Sequence, residues 1–295
     1  MSRTVTALTR RPLELGEGPR LVDGRLILVD ILDGSLYQHP GNSLADLVRL
    51  LHLDVPLGAV APARGSAGSW VAAAGEGVAV LGSDGSLEWL DRPESRHRGA
   101  TRMNDGVADS LGRFWAGSCA YDGSSPIGAL YRVDPDGSVH QVLDHLVTAN
   151  GPAVSDDGRT LFLADSGRAT ITRYRVSDDG ALGDPVLVLS EPSGAVPDGL
   201  TLDGEGHLWA AFYGAGQVRR YDSDGRLLLS VDLPASQPTS VALLDGRAVV
   251  TTARQGLDSP TSFDGLLLGV DLSDLAGVTA RPARCWGPPP APAGV

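Results

Sequence analysis

The chain repeats itself. Six segments share one pattern: a turn ending in glycine, one or two residues, then a short apolar strand. They are "VDGRLILVD", "SAGSWVAAA", "SLGRFWAGS", "DDGRTLFLAD", "GEGHLWAAF" and "LDGRAVVTT". Their glycines, Gly24, Gly68, Gly112, Gly158, Gly206 and Gly246, are separated by 44, 44, 46, 48 and 40 residues. A second turn and strand follows most of them, as in "LDGSLYQ", "SDGSLEWL" and "PDGSVHQVL". Repeats of this length mark solenoids, propellers or arrays. Helical repeats need apolar residues at helical spacing, and none is found. Four short strands per unit fit a propeller blade. The pattern predicts an all-β chain: a six-bladed β-propeller with four-stranded blades around a central channel. A pair of β-sandwiches or an irregular β-fold is the alternative. Residues 1–295 are expected to form one such domain, with the propeller over about 14–285 and a Pro-rich tail over about 286–295.

Composition narrows the partners. The 38 glycines and 20 prolines are scattered among short apolar runs, as turns of a β-fold require. The net charge is −12 and there is no basic stripe, which argues against nucleic acid. The two cysteines, Cys119 and Cys285, have no metal-ligand spacing and read as free thiols suited to a reducing cytosol. The N-terminal stretch does not read as a secretory signal, and no run approaches the roughly 18 apolar residues of a membrane span. A cytoplasmic protein is expected. A closed propeller needs no partner for stability, so a monomer is expected too.

The repeat points to a site. Seven or eight residues before the aligned glycine stand Glu17 in "LGEGPR", Asn104 in "RMNDG", Asn150 in "TANGP" and Asp198 in "VPDGL". Units two and six place Val60 and Pro238 there, followed by Ala61 and Thr239. A segment just before the second strand of each unit should be the innermost strand or the loop entering it. Four oxygen-bearing side chains would then face one point on the axis. Unpaired carboxylates resist burial and repel each other, and a bound cation removes both problems. Glu, Asp and Asn oxygens are hard ligands, suited to Ca²⁺, Mg²⁺ or Mn²⁺, and Zn²⁺ also accepts carboxylates. Asp and Asn before Gly are also ordinary turn residues. One such match would be a turn; four at one register point to a shared site. Other chemistries are thin. There is no G-x-S-x-G elbow, and the six histidines show no H-E-x-x-H or H-x-H pairing. His207 is expected to be exposed, and Arg96-His97-Arg98 to be a solvated loop.

The segments "LGEGP", "RMNDGVADSLGRFWAG", "ANGPAVSDDGRTLFLADS" and "VPDGLTLDGEGHLWAAFYGAGQVRRYD", in that order, resemble the regucalcin/gluconolactonase family, also called the senescence-marker-protein and luciferin-regenerating-enzyme-like group. The resemblance runs from about Glu14 to about Leu272. It implies a six-bladed propeller with one divalent cation in its channel and, in many members, hydrolysis of sugar lactones. It implies metal ligands Glu17, Asn150 and Asp198. Asn104 would lie beside the metal and contact substrate, Arg102 would bind sugar hydroxyls or the lactone oxygen, and Asp122 in "CAYDG" falls where an acidic sugar-binding residue is often found. Ca²⁺ is the first expectation for the ion, with Zn²⁺, Mn²⁺ and Mg²⁺ behind it. The chain departs from the family at Arg20-Leu21, where an apolar residue and Trp are common, at Tyr121, and in the short "SSPIG". These departures spare the metal ligands and bear on the substrate.

The expected activity is a metal-dependent lactonase, a carboxylic ester hydrolase acting on an aldonolactone. Asp198 is the expected general base, touching metal and water at once. Three alternatives stand beside it: the same chemistry on another ester such as an organophosphate, recruitment to a biosynthetic pathway, or a non-catalytic metal-binding or interaction propeller.

Overall fold

The structure is a computed structural model and describes residues 3–41, 44–65, 67–191 and 193–288. Its strands form six four-stranded antiparallel sheets. Blade one holds β2 (Gly16–Val22), β3 (Arg25–Asp30), β4 (Ser35–His39) and β5 (Val48–His52). Blade two holds β6 (Leu57–Pro62), β7 (Trp70–Ala74), β8 (Gly77–Leu81) and β9 (Leu87–Asp91). Blade three holds β10 (Thr101–Ala108), β11 (Phe114–Ala120), β12 (Gly128–Val133) and β13 (Val139–Leu146). Blade four holds β14 (Ala149–Val154), β15 (Thr160–Asp165), β16 (Thr170–Arg175) and β17 (Val186–Ser190). Blade five holds β18 (Val196–Leu202), β19 (Leu208–Tyr213), β20 (Gln217–Tyr221) and β21 (Leu227–Asp232).

Blade six closes the ring with both ends of the chain. Its order is β22 (Pro238–Leu244), β23 (Arg247–Thr252), β24 (Leu268–Asp271) and then β1 (Val5–Ala7). Residues ahead of position 14 therefore complete the last blade. Trp286, given to the tail from the sequence, is buried in the apolar cluster between blades two and three and is bridged to Ala63. The rest of that segment, from 289 on, lies outside the described residues.

The repeated turns have a concrete chemistry. Asp109 accepts hydrogen bonds from the amides of Leu111 and Arg113 with one oxygen, and from Arg113 Nε and Trp115 Nε1 with the other. Asp203 does the same for Glu205, His207, Trp209 and Arg220. Each carboxylate closes a tight turn and anchors the indole of the next strand. The apolar clusters sit between neighbouring blades. Trp115, Trp209, Phe114 and Phe212 are fully buried, each worth roughly 1.5–3 kcal/mol of burial or more. Both cysteines are free, with Cys119 buried. Among the described residues no helix is long and apolar enough to cross a membrane.

Candidate metal and substrate site in the channel

The first strands of the blades, β2, β6, β10, β14, β18 and β22, touch one another in turn and form the inner ring. Each carries one extra residue against its neighbour. In β2 the pairing runs Glu17↔Val29 and then Arg20↔Ile27; in β14, Asn150↔Ala164 and then Ala153↔Phe162; in β18, Pro197↔Phe212 and then Leu200↔Ala210. Such a bulge bends the strand and re-aims its side chains. Glu17 and Asn150 are the last paired residues before it, whereas Asn104 and Asp198 stand within it. The bulge lets residues one place apart in register meet at one level of the channel.

Blade two differs from the sequence expectation. Its bulge falls at Gly58, not at Val60, which is buried in an apolar cluster. A Cβ on Gly58 would lie 2.1 Å from the Asn104 carbonyl oxygen, so blade two contributes close backbone approach in place of a ligand. In blade six the equivalent place is Thr239, whose hydroxyl donates to the Gly16 carbonyl.

Glu17 and Asp198 are buried side by side. Burial, reinforced by the charges of Asp198 and Asp105, pushes the Glu17 carboxyl well above its usual range. Burial and then the Asp105 charge do the same to Asp198, against the opposing pull of Arg102, Glu17 and Asn150. Among the described residues one Asp198 oxygen, Oδ1, has no hydrogen-bond partner. Among the described residues neither carboxylate has an ion pair. Asp105 is the third buried carboxylate, raised by burial but held back by Arg20, 3.6 Å away, and by the amides of Gly106 and Gly151.

A chain of hydrogen bonds fixes the amides. Arg102 Nη1 donates to Asn104 Oδ1 at 2.6 Å, and Asn104 Nδ2 donates to Asn150 Oδ1 at 2.6 Å and to the Ala149 carbonyl. Asn150 Nδ2 donates to Ser166 Oγ at 2.9 Å, which donates to the Pro197 carbonyl at 2.7 Å. Asn104 and Ser166 thereby hold the Asn150 amide in one orientation. Both amide hydrogens of Asn104 are committed, so its part is to orient more than to bind. Among the described residues Nη2 and Nε of Arg102 have no acceptor.

Asp105 and Ser166 were missed by the repeat argument. Asp105 left a signal: it precedes Gly112 by 7 residues, the offset of Glu17 from Gly24. Ser166 left none. Among the described residues Asp122 makes no hydrogen bond or ion pair with a channel residue. It is exposed, and its oxygens accept from the amides of Ser124 and Ser125 and the Ser125 hydroxyl, which lower it to about 2. His207 is half-buried, not exposed. With Asp203 and Glu205 it forms a second group whose ligand atoms lie within 4.8 Å of one another. Arg220 already occupies that group, donating to Asp203 and Glu205 at 2.7 Å, with its Nη2 3.0 Å from His207 Nδ1. A resident guanidinium leaves less need for a metal there than in the channel. A cavity of about 410 Å³ lies at the far end of the inner strands, lined by Pro19, Arg20, Val107, Ala153, Leu200 and Arg281.

Residues 15–254 match the model of the SMP-30/Gluconolactonase/LRE-like region. The chain belongs to this family. It is 32% identical over 248 residues to a 6-deoxy-6-sulfogluconolactonase of Pseudomonas putida, covering 82% of this chain and 83% of that one. It is 30% identical over 297 residues to a pentonolactonase of Haloferax volcanii, covering 95% and 97%. Among solved structures it superposes on a calcium-binding protein, regucalcin, from Agrobacterium tumefaciens with a TM-score of 0.85 at 25% identity, covering 97% of each chain. SMP-30/gluconolactonase family membership agrees with the motifs that carry the channel residues.

Proposed function

We propose that the protein is a divalent-metal-dependent lactonase acting on an aldonolactone, with Glu17, Asn150 and Asp198 as metal ligands. One observation carries the reading. Two buried carboxylates, Glu17 and Asp198, stand together, among the described residues without an ion pair and with Asp198 Oδ1 unpartnered. Two negative charges and an amide oxygen match one divalent ion, and an all-oxygen donor set suits Ca²⁺. The calcium-binding regucalcin and the lactonases among the relatives support the same choice.

When bound, a divalent ion supplies Lewis acidity toward the lactone carbonyl and acidifies water at its open position. The chain does the rest. Asp198 takes a proton from the attacking water, because its Oδ1 is the acceptor left unpaired at the site. Arg102 directs its remaining N–H groups at the lactone ring oxygen or a hydroxyl. Asn104 and Ser166 hold Arg102 and Asn150 in place. Asp105 with Arg20 closes the ring from the cavity side.

The test is a pH-indicator hydrolysis assay on chelator-stripped protein. Ca²⁺, Mn²⁺, Zn²⁺ and Mg²⁺ are added back singly with a panel of aldonolactones. Turnover restored by metal, and absent in Asp198→Ala, is expected. Metal binding without turnover of any lactone would overturn the reading and turn attention to other esters.

A further inference from the structure

Three buried side-chain oxygens lack partners among the described residues: Glu94 Oε2, Asp198 Oδ1 and Gln237 Oε1. Asp198 belongs to the ring. Glu94 has His97 Nε2 4.0 Å away and gives its other oxygen to Ser118 and Tyr131. Gln237 is the one left over, with 9% of its surface exposed.

Its place in the fold is informative. Pro238↔Thr252 is the last pair before the bulge of β22, as Met103↔Ser118 is in β10. Gln237 therefore holds on blade six the position that Arg102 holds on blade three. In a ring of six, those blades face each other across the axis. The backbone around Gln237 is fixed. Its carbonyl accepts from the Ala253 amide at 2.9 Å. Ser236 donates its amide and hydroxyl to Asp264 Oδ1 at 2.7 and 3.0 Å, and Asp264 is held in turn by the Thr261 amide. Tyr213, at the end of β19, stands beside it. Its ring packs against a cluster drawn otherwise from blades one, two and six. Burial and then the Asp198 charge push its phenol up to about 12, while the Gln237 amide pulls the other way. The phenol thus lies near both Asp198 and Gln237.

We propose that Gln237 and Tyr213 form the wall of the substrate pocket opposite Arg102, and that Gln237 Oε1 accepts a hydrogen bond from a ring hydroxyl of a polyhydroxylated lactone. The proposal rests on the lactonase reading. Its chemistry is complementary to Arg102. A guanidinium only donates, so it does not tell a hydroxyl from an ether or carbonyl oxygen. A buried acceptor demands a donor, and a ring carbon without its hydroxyl leaves that acceptor unpaired. The pair Arg102 and Gln237 would therefore select hydroxylated rings over bare ones.

The experiment uses Gln237→Met, which keeps the volume and removes the acceptor, with Tyr213→Phe alongside. Each is assayed on an aldonolactone and on an unsubstituted lactone of the same ring size. For Gln237→Met the expected loss in kcat/KM is about three- to tenfold on the aldonolactone, mainly in KM. It should be under about twofold on the unsubstituted lactone. Calorimetric metal affinity should match the unaltered protein. Equal losses on both lactones, or none on either, would overturn the proposal. A second arm titrates the corresponding aldonate into metal-loaded protein without turnover. If the unaltered protein opens no lactone, the lactonase reading fails. Weaker aldonate binding by Gln237→Met would then still support the hydroxyl subsite, and unchanged binding would refute it.

Discussion

Replacing Asp198 by Asn should raise the stability of the metal-free protein and remove most of the stabilisation that metal adds. Asp198 is buried beside Glu17 and near Asp105, and Arg102 is the cation acting on it. The effective penalty for holding an ion out of water is several kcal/mol, and replacing a buried ion pair by neutral groups often returns about 1–4 kcal/mol, the scale expected here for a carboxylate with no ion pair. At roughly 2 °C per kcal/mol for a chain of this size, the metal-free variant should melt about 2–8 °C higher at neutral pH. Metal works in the opposite direction. Losing one of two charged ligands should weaken binding by on the order of a hundredfold or more, since even outer partners of a metal site are worth 10–100-fold. At a metal concentration of about 100 Kd the unaltered protein gains about 2.7 kcal/mol, while a site a hundredfold weaker gains about 0.4 kcal/mol. Thermal melts in chelator and in saturating Ca²⁺ read both effects. A variant that melts lower in chelator and responds to Ca²⁺ as fully as the unaltered protein would refute the reasoning.

Other outcomes follow from the same geometry. Glu17 and Asp198 have raised values in the metal-free fold, so the stability their protonated forms contribute is present below the ordinary carboxylate range and is lost as pH rises through the raised values. Metal binding, which needs them ionised, gains over the same rise; the Tm gap between loaded and stripped protein should widen as pH rises above the ordinary carboxylate range, and a flat gap would contradict this. Ser166→Ala frees the Asn150 amide and should weaken metal binding about 10–100-fold while costing only about 1 kcal/mol of stability; unchanged metal affinity by calorimetry would remove Ser166 from the site. Gly58→Ala drives a methyl into the Asn104 carbonyl and should cost about 1–3 kcal/mol together with metal affinity; a variant that melts normally would show that the two blades give way easily.

The repeat was legible because a turn ending in glycine recurs in each unit, with one carboxylate chemistry shared by blades three and five. Asp109 and Asp203 make the same four hydrogen bonds, and the glycines that close those turns stay near one period. Counting back from those glycines reached Glu17, Asn104, Asn150 and Asp198. It misplaced blade two, because seven residues separate β6 from β7 where five separate β10 from β11, and Gly58 carries no side chain to announce itself. Asp105 was hidden because the offset is seven in some units and eight in others. Ser166 follows the strand paired with β14, and that hairpin sets it beside the Asn150 amide; Gln237 stands one residue ahead of β22. The N-terminal strand was out of reach for a further reason: three residues, Val5–Ala7, pair with β24 from the other end of the chain.

The most direct test of the central claim is where the divalent ion binds. Calorimetric titration of Ca²⁺ into stripped protein would be compared for the unaltered chain, Glu17→Gln, Asp198→Asn and Glu205→Gln. One tight site that is abolished by the first two changes and kept by the third is expected. A site that survives the loss of Glu17 and Asp198 and disappears with Glu205 would place the ion at Asp203, Glu205 and His207 and contradict a channel metal.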